Sequence, residues 1–355
     1  MKIKCRQLVE SIVDINNINI NVADMLWSAF SYVDIFSVEV IDNLVTEGKS
    51  EFESIIEILY DFYRLDRDNE DNIRIMNEYF LKNLKKLNPE EYLANPYVKA
   101  ISSVGKKGPY VLKYLTYSPY QLFAYDDIKV DDKYQEMSAI GYFDTEFSYL
   151  ALVNNQNVWM SLNPNEIETM KPYIEKGKGQ VLVLGLGMGY VPFMLALKKE
   201  VKSITIIEKD PAIIALFEET LIPHFINKEK ITVIKDDALA FLRKNKKGEL
   251  YDYLFADLWH NPDDGLELFL ALKRINRHID CWLETSLYAL LRRNMITLLE
   301  EQLEGKDESH YRYAKTYYDK LINTYYQKTK NLVLALPDDV DKLLDNDNLL
   351  KLALD

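Results

Sequence analysis

The stretch Val181–Leu195, VLVLGLGMGYVPFML, decides the fold. Four apolar residues read as a short, fully buried strand, the three glycines of GLGMG end it, and an apolar helix follows. Residues 181–197 carry almost no polar side chain and approach the length of a membrane span. The glycines split that run, however, and the next strand starts only a few residues later, which is the rhythm of a buried strand–turn–helix unit. No membrane partner is expected. Glycine lets backbone approach a ligand where a side chain would block it, and a helix N-terminus presents free N–H groups and a positive dipole end. Gly185, Leu186, Gly187, Met188 and Gly189 are therefore the first candidate ligand-binding residues.

Strands near 181–185, 203–208, 231–235, 251–257 and 280–285 alternate with helical stretches. Such alternation predicts an α/β fold, a Rossmann-like doubly wound parallel sheet, because each right-handed crossover lays a helix on one face. Ligands of open α/β sheets bind outside the carboxyl ends of the strands. Glu208, nineteen residues after Gly189, ends the second strand, where its carboxylate can accept bonds from ribose hydroxyls, with Lys209 beside it. The third strand leads into Asp236, Asp237 and Ala238, a carboxylate and a backbone N–H suited to an adenine edge; either aspartate can instead cap the helix that begins there. The fourth ends in Asp257, followed by Leu258, Trp259, His260, Asn261 and Pro262. Asp257 and His260 are the catalytic candidates, since a carboxylate and an imidazole there can orient an amine or hydroxyl and take its proton. His260 has a structural reading as well, and Trp259 suits either packing or a stacking wall.

Upstream, residues 1–100 read as a helical N-terminal domain, with apolar residues at helical spacing through Phe52, Ile55, Ile56, Leu59 and Tyr60, and again through Ile75, Tyr79 and Leu84. Residues 101–170 read as a β-rich segment in which Phe147–Val153 and Val158–Leu162 flank a polar turn, with a helix at about 165–175. Its tyrosines suit cross-strand packing. The nucleotide-binding unit takes 171–303, and 304–355 is a mostly helical extension in which Leu332–Leu336 suits a strand.

The 355 residues are 48% hydrophobic and 28% charged, a balance that folds into more than one unit. A net charge of -13 repels phosphate backbones, so no nucleic-acid partner is expected. The basic runs at Lys244–Lys247 and Arg292–Arg293 read as solvated helix ends. Cys5 and Cys281 are isolated, which suggests neither a disulfide framework nor a metal site, and the first residues lack the pattern of a secretory leader. A cytoplasmic location follows as the expectation.

The segments around the glycine turn, Glu208, Asp237 and Asp257 together resemble class I S-adenosylmethionine-dependent methyltransferases, and more narrowly their spermidine synthase branch. Val183 stands where many methyltransferases carry an acidic residue, an absence shared with spermidine synthases, and the β-rich segment at about 108–163 is similar to their arrangement. The resemblance covers about half of the chain and leaves the helical N-terminus outside. It implies S-adenosylmethionine as cofactor. Aminopropyltransferases of this kind carry an aspartate in the glycine loop, where Met188 stands, and a second one after the catalytic aspartate, where His260 or Asn261 falls. Both departures remove negative charge from a polyamine site. The expectation is thus methyl transfer to an unidentified small-molecule or protein acceptor, with aminopropyl transfer as the alternative. Tyr142, Trp159 and Met160 are candidates for the acceptor pocket. A non-catalytic platform for a protein partner or a second copy, as a homodimer, is a further alternative. A nicotinamide dinucleotide fits poorly, because Tyr190 occupies the position where its fingerprint needs a small residue.

Overall fold

The computed structural model describes residues 1–354 apart from 33–34, 102–104, 156, 246–247 and 313–314. Its central feature is a five-stranded, all-parallel sheet in the order Ile231–Lys235, Val201–Glu208, Gly179–Leu184, Tyr253–Ala256, Asp280–Cys281. Val181, Leu182, Val183 and Leu184 are almost wholly buried, which explains why this continuous apolar run takes the middle position. Leu184 pairs with Ile207 on one side and Ala256 on the other. Strand order reverses between these two neighbours, so a crevice opens at their carboxyl ends, directly over Gly185 and Asp257.

The fifth strand is shorter than the expected 280–285 and stops at Cys281. Leu283 turns the chain left-handed at φ 53°, and Glu284 opens the 20-residue helix Glu284–Leu303. Glu284 is held there by an ion pair with the buried Lys273. In the middle of that helix, Arg292 and Arg293 are not a solvated end. Arg292 is buried and donates to the Leu344 carbonyl and Asn346, while Arg293 pairs with the buried Glu136. Lys246 and Lys247, of the other basic run, lie outside the described residues.

Ahead of the parallel sheet stands an antiparallel one in the order Asn157–Ser161, Phe147–Asn154, Tyr110–Tyr117, Gly105–Lys107. Its hairpin carries a bulge between Val158 and Met160. A bulge interrupts the strict alternation of faces, so the consecutive residues Trp159 and Met160 both reach the crevice. The helix Arg6–Ser31 joins two cores: Val9, Ile12 and Val13 pack with the sheets, while Val22, Leu26 and Ala29 pack with the N-terminal helices. The helical spacing through Ile75, Tyr79 and Leu84 does not persist. After Glu70–Ile75 the turn widens to a π-helical one at Met76–Phe80, and Leu84–Lys86 leaves as a strand beside Ile140–Tyr142. Val333–Leu334 forms a strand that pairs in parallel with Lys2–Ile3. Among the described residues no helix is long and apolar enough to cross a membrane.

A Cβ on Gly185, which has φ 98°, would lie 2.0 Å from the Asp257 carbonyl oxygen. Gly185→Ala is therefore expected to destabilise the protein by roughly 2 kcal/mol or more. Thermal unfolding of the variant checks this.

Candidate functional site

A cleft of about 380 Å³ lies across the carboxyl ends of the first four strands of the parallel sheet. Its floor is the turn Gly185–Gly187, and its walls are Glu208, Lys209, Asp236, Asp237, Ala238, Asp257 and His260, with Tyr110, Trp159 and Met160 arriving from the antiparallel sheet. The structure thus gathers most of the candidates named from sequence. Two stand elsewhere. Met188 is buried behind the turn, and Gly189 packs against Phe217 and Phe225 rather than facing the cleft.

Glycine is required in the turn for space as well as conformation. Gly187 has φ 53°, and a Cβ there would lie 2.3 Å from the Met160 methyl, so the Met160 thioether closes directly over bare backbone. From beneath, the buried Tyr97 hydroxyl donates to the Met188 carbonyl, and its ring meets Tyr190 and Phe193 edge-on. The turn is held from both sides.

Glu208 accepts the Leu186 N–H at 3.2 Å and the Asp210 N–H at 2.8 Å, so both carboxylate oxygens are oriented by backbone. Each retains a lone pair toward the cleft. Asp210 is fixed in turn by the Tyr110 hydroxyl at 2.7 Å. Of the two aspartates at the third strand, Asp237 is the helix cap, accepting from Ala240 N–H at 2.8 Å. Asp236 accepts from the Asp237 N–H and lies near Lys244.

His260 is exposed at the rim. Asp264 sits 3.2 Å from its Nδ1, and the ring stands edge-on to Trp159 at 4.3 Å between centroids, bridging the loop after Asp257 and the hairpin across the cleft mouth. Trp259 serves packing: it is buried against Gly265, where a Cβ would meet the indole at 2.5 Å, while its edge lines the cleft. Tyr142 is not part of the site. It is fully buried in the N-terminal core with its hydroxyl on Glu51, because its strand belongs to a separate small sheet beside Leu84–Lys86 and Phe123–Ala124.

The residue that sequence reasoning missed is Glu166. It occupies the first turn of the helix Pro164–Lys176, where Asn163 caps its N–H, and its side chain enters a recess shared with Gly185, Met188 and Asp257. Burial, with the Asp257 charge second, pushes its carboxyl well above the usual range. Burial and the charge of Glu208 push Asp257 up to about 7. Every charged group acting on either of these carboxyls is itself a carboxylate. Nothing in the sequence marks Glu166, since an acidic residue in a helix's first turn is ordinary.

Residues 166–341 match the family model of the spermine/spermidine synthase domain. The matched segment takes in the whole parallel sheet and ends within the helix Pro337–Leu344. That segment is similar to the spermine/spermidine synthase domain, and the parallel sheet observed is consistent with the Rossmann-like fold of that domain. No curated protein matches the chain.

A carboxyl whose folded pKa is raised contributes stability that is complete below the unfolded value and is lost as pH rises through the folded one. For Asp257 that window runs from about 4 to about 7. Asp257→Asn is therefore expected to raise the Tm of the ligand-free protein at pH 8 by a few degrees, with the advantage vanishing near pH 4. Scanning calorimetry at both pH values checks it.

Proposed function

We propose that the chain is an aminopropyltransferase-type enzyme, taking decarboxylated S-adenosylmethionine as donor and an amine as acceptor. The observation that carries this reading is the pair of carboxyls, Asp257 and Glu166, beyond the glycine turn, with only carboxylates acting on them. The intact methionine arm would bring a further carboxylate into that recess. The decarboxylated arm brings an ammonium alone, which such a recess favours. The likeness of residues 166–341 to the spermine/spermidine synthase domain supports the same choice. It also answers the argument from Met188, because charge absent from the turn is present on Glu166.

The proposed roles follow from position. Gly185 and Gly187 admit the donor's backbone-close contact, Glu208 accepts from the ribose hydroxyls, and Asp236 with the Ala238 N–H faces the adenine edge. The sulfonium supplies the activation, so the protein chiefly positions the acceptor and excludes water. The acceptor nitrogen attacks the propyl carbon next to sulfur. The carbon–sulfur bond breaks with its electron pair going to sulfur, leaving a neutral thioether. Asp257, with a carboxyl poised near neutrality, takes the proton that the acceptor amine gives up to free its lone pair for this attack, and the product nitrogen keeps its own. His260, oriented by Asp264 at the rim, is placed to pass that proton to solvent.

Methyl transfer from the intact cofactor is the second reading. It is favoured by Met188 and His260, which stand where the resemblance implies aspartates.

Calorimetric titration with the intact and decarboxylated cofactors separates the two. The decarboxylated form is expected to bind at least about tenfold more tightly. Preference for the intact form would turn the assignment to methyl transfer, and binding of neither would leave a platform for a partner.

A further inference from the structure

Of the features not absorbed above, the acidic groove at Asp126 and Asp127 is occupied by its own bonds, Asp127 holding Ser286 and the Thr285 N–H. The exposed apolar side chains Trp27, Val38 and Val40 have nothing to name what covers them. The roof of the cleft is different, because part of it rests on backbone that a donor has to reach.

Two glycines of the cleft floor are covered in opposite ways. The space beside Gly185 is taken by the Asp257 carbonyl, which is backbone and cannot yield. The space over Gly187 is taken by the methyl and sulfur of Met160, at 2.3 and 2.5 Å from where a Cβ would stand. These atoms are the far end of an unbranched, flexible side chain, which moves aside at little cost. The strand that carries them is lightly held. Asn157–Ser161 is the outer strand of its sheet, bonded to Phe147–Asn154 on one side, with a bulge just before Met160. Val158 and Trp159 are 51% and 38% exposed, so little buried apolar area keeps the strand down. Across the cleft mouth Trp159 meets the exposed His260 edge-on, and Tyr110 lies 6.0 Å from the indole on the near side. While Met160 stays on Gly187, nothing larger can approach that backbone from the cleft.

We propose that Met160 is a plug which the sulfonium arm of the donor displaces from Gly187, and that Trp159, closed on His260, is the latch of the strand carrying it. This rests on reading the cleft as the site of an S-adenosyl donor, and it holds for either form of that donor. The arm takes over the contact that the thioether makes, so the backbone of the turn stays covered throughout. A nucleoside without an arm is held by the walls at Glu208 and Asp236 and leaves Met160 where it is. Return of the strand over the bound donor then shuts water away from the sulfonium. Trp159 and Met160 both precede residues 166–341, so entry is governed from outside the segment that resembles the synthase domain.

The test is stopped-flow mixing of the full chain with two ligands, followed by tryptophan fluorescence, for which Trp259 in the cleft wall remains as reporter in every variant. One ligand is adenosine, which has no arm. The other is whichever of intact and decarboxylated S-adenosylmethionine binds the wild-type protein more tightly. Met160→Ala is expected to raise the association rate constant of the donor roughly three- to tenfold, because the cost of unplugging is gone, and to leave that of adenosine unchanged. Met160→Leu keeps the bulk on a stiffer side chain and is expected to take up the donor no faster than wild type. Trp159→Ala is expected to speed both entry and exit of both ligands, whereas Val158→Ala, exposed on the same strand, changes neither. A donor rate that Met160→Ala leaves unchanged or lowers overturns the proposal. So does an equal change for adenosine, which would make Met160 merely structural, or a rise with Met160→Leu as large as with alanine. Wild-type protein that binds neither donor form sinks the reading of the cleft itself, and that result is read before any variant is compared.

Discussion

Contact between Gly185 and the backbone of Asp257 is the constraint on which the rest depends. The ends of two neighbouring parallel strands approach so closely that no side chain fits between them. Because the cleft floor must then be bare backbone, its shape is set by what braces it. Two distant parts of the chain do so, the Met160 thioether from the bulged hairpin and the Tyr97 hydroxyl from an N-terminal helix, together with the Glu208 carboxylate of the adjacent strand on the Leu186 N–H. The parallel-sheet unit therefore does not complete its own site, since Met160 and Tyr97 reach it from earlier in the chain.

Charge in the cleft is satisfied unevenly. Glu208 has two backbone donors, so it keeps its charge at little cost, and that charge raises the carboxyl of Asp257. Asp257 and Glu166 have no comparable partner, and burial together with the neighbouring carboxylates raises both carboxyls. Groups left in that state gain most when a cation arrives.

Much of this was legible in the sequence because buried parallel strands are continuous apolar runs and their carboxyl ends sit at predictable spacing. That is why Glu208, Asp237 and Asp257 could be named as neighbours before any coordinates. The fifth strand was overextended because Trp282 and Leu283 prolong its apolar pattern, whereas the ion pair of Glu284 with Lys273 starts a helix there. Leu84 was read as helical because spacing alone does not reveal a π-helical turn. Tyr142 was misplaced because a period of two does not say which face meets the cleft, and the joint arrival of Trp159 and Met160 depends on a bulge that leaves no compositional trace. Glu166 stayed hidden because its meaning lies entirely in the carboxyl it faces across the fold.

The parallel pairing of Lys2–Ile3 with Val333–Leu334 bears on how the chain is made. A ribosome releases the long helix Arg6–Ser31 first, yet the strand that anchors its start appears only some three hundred residues later. Until then the helix exposes an apolar stripe through Val9, Ile12, Val13, Val22 and Leu26 with half of its partners unsynthesised. The first turns of the helix are therefore completed only by segments made after most of the chain, so this part of the core closes last.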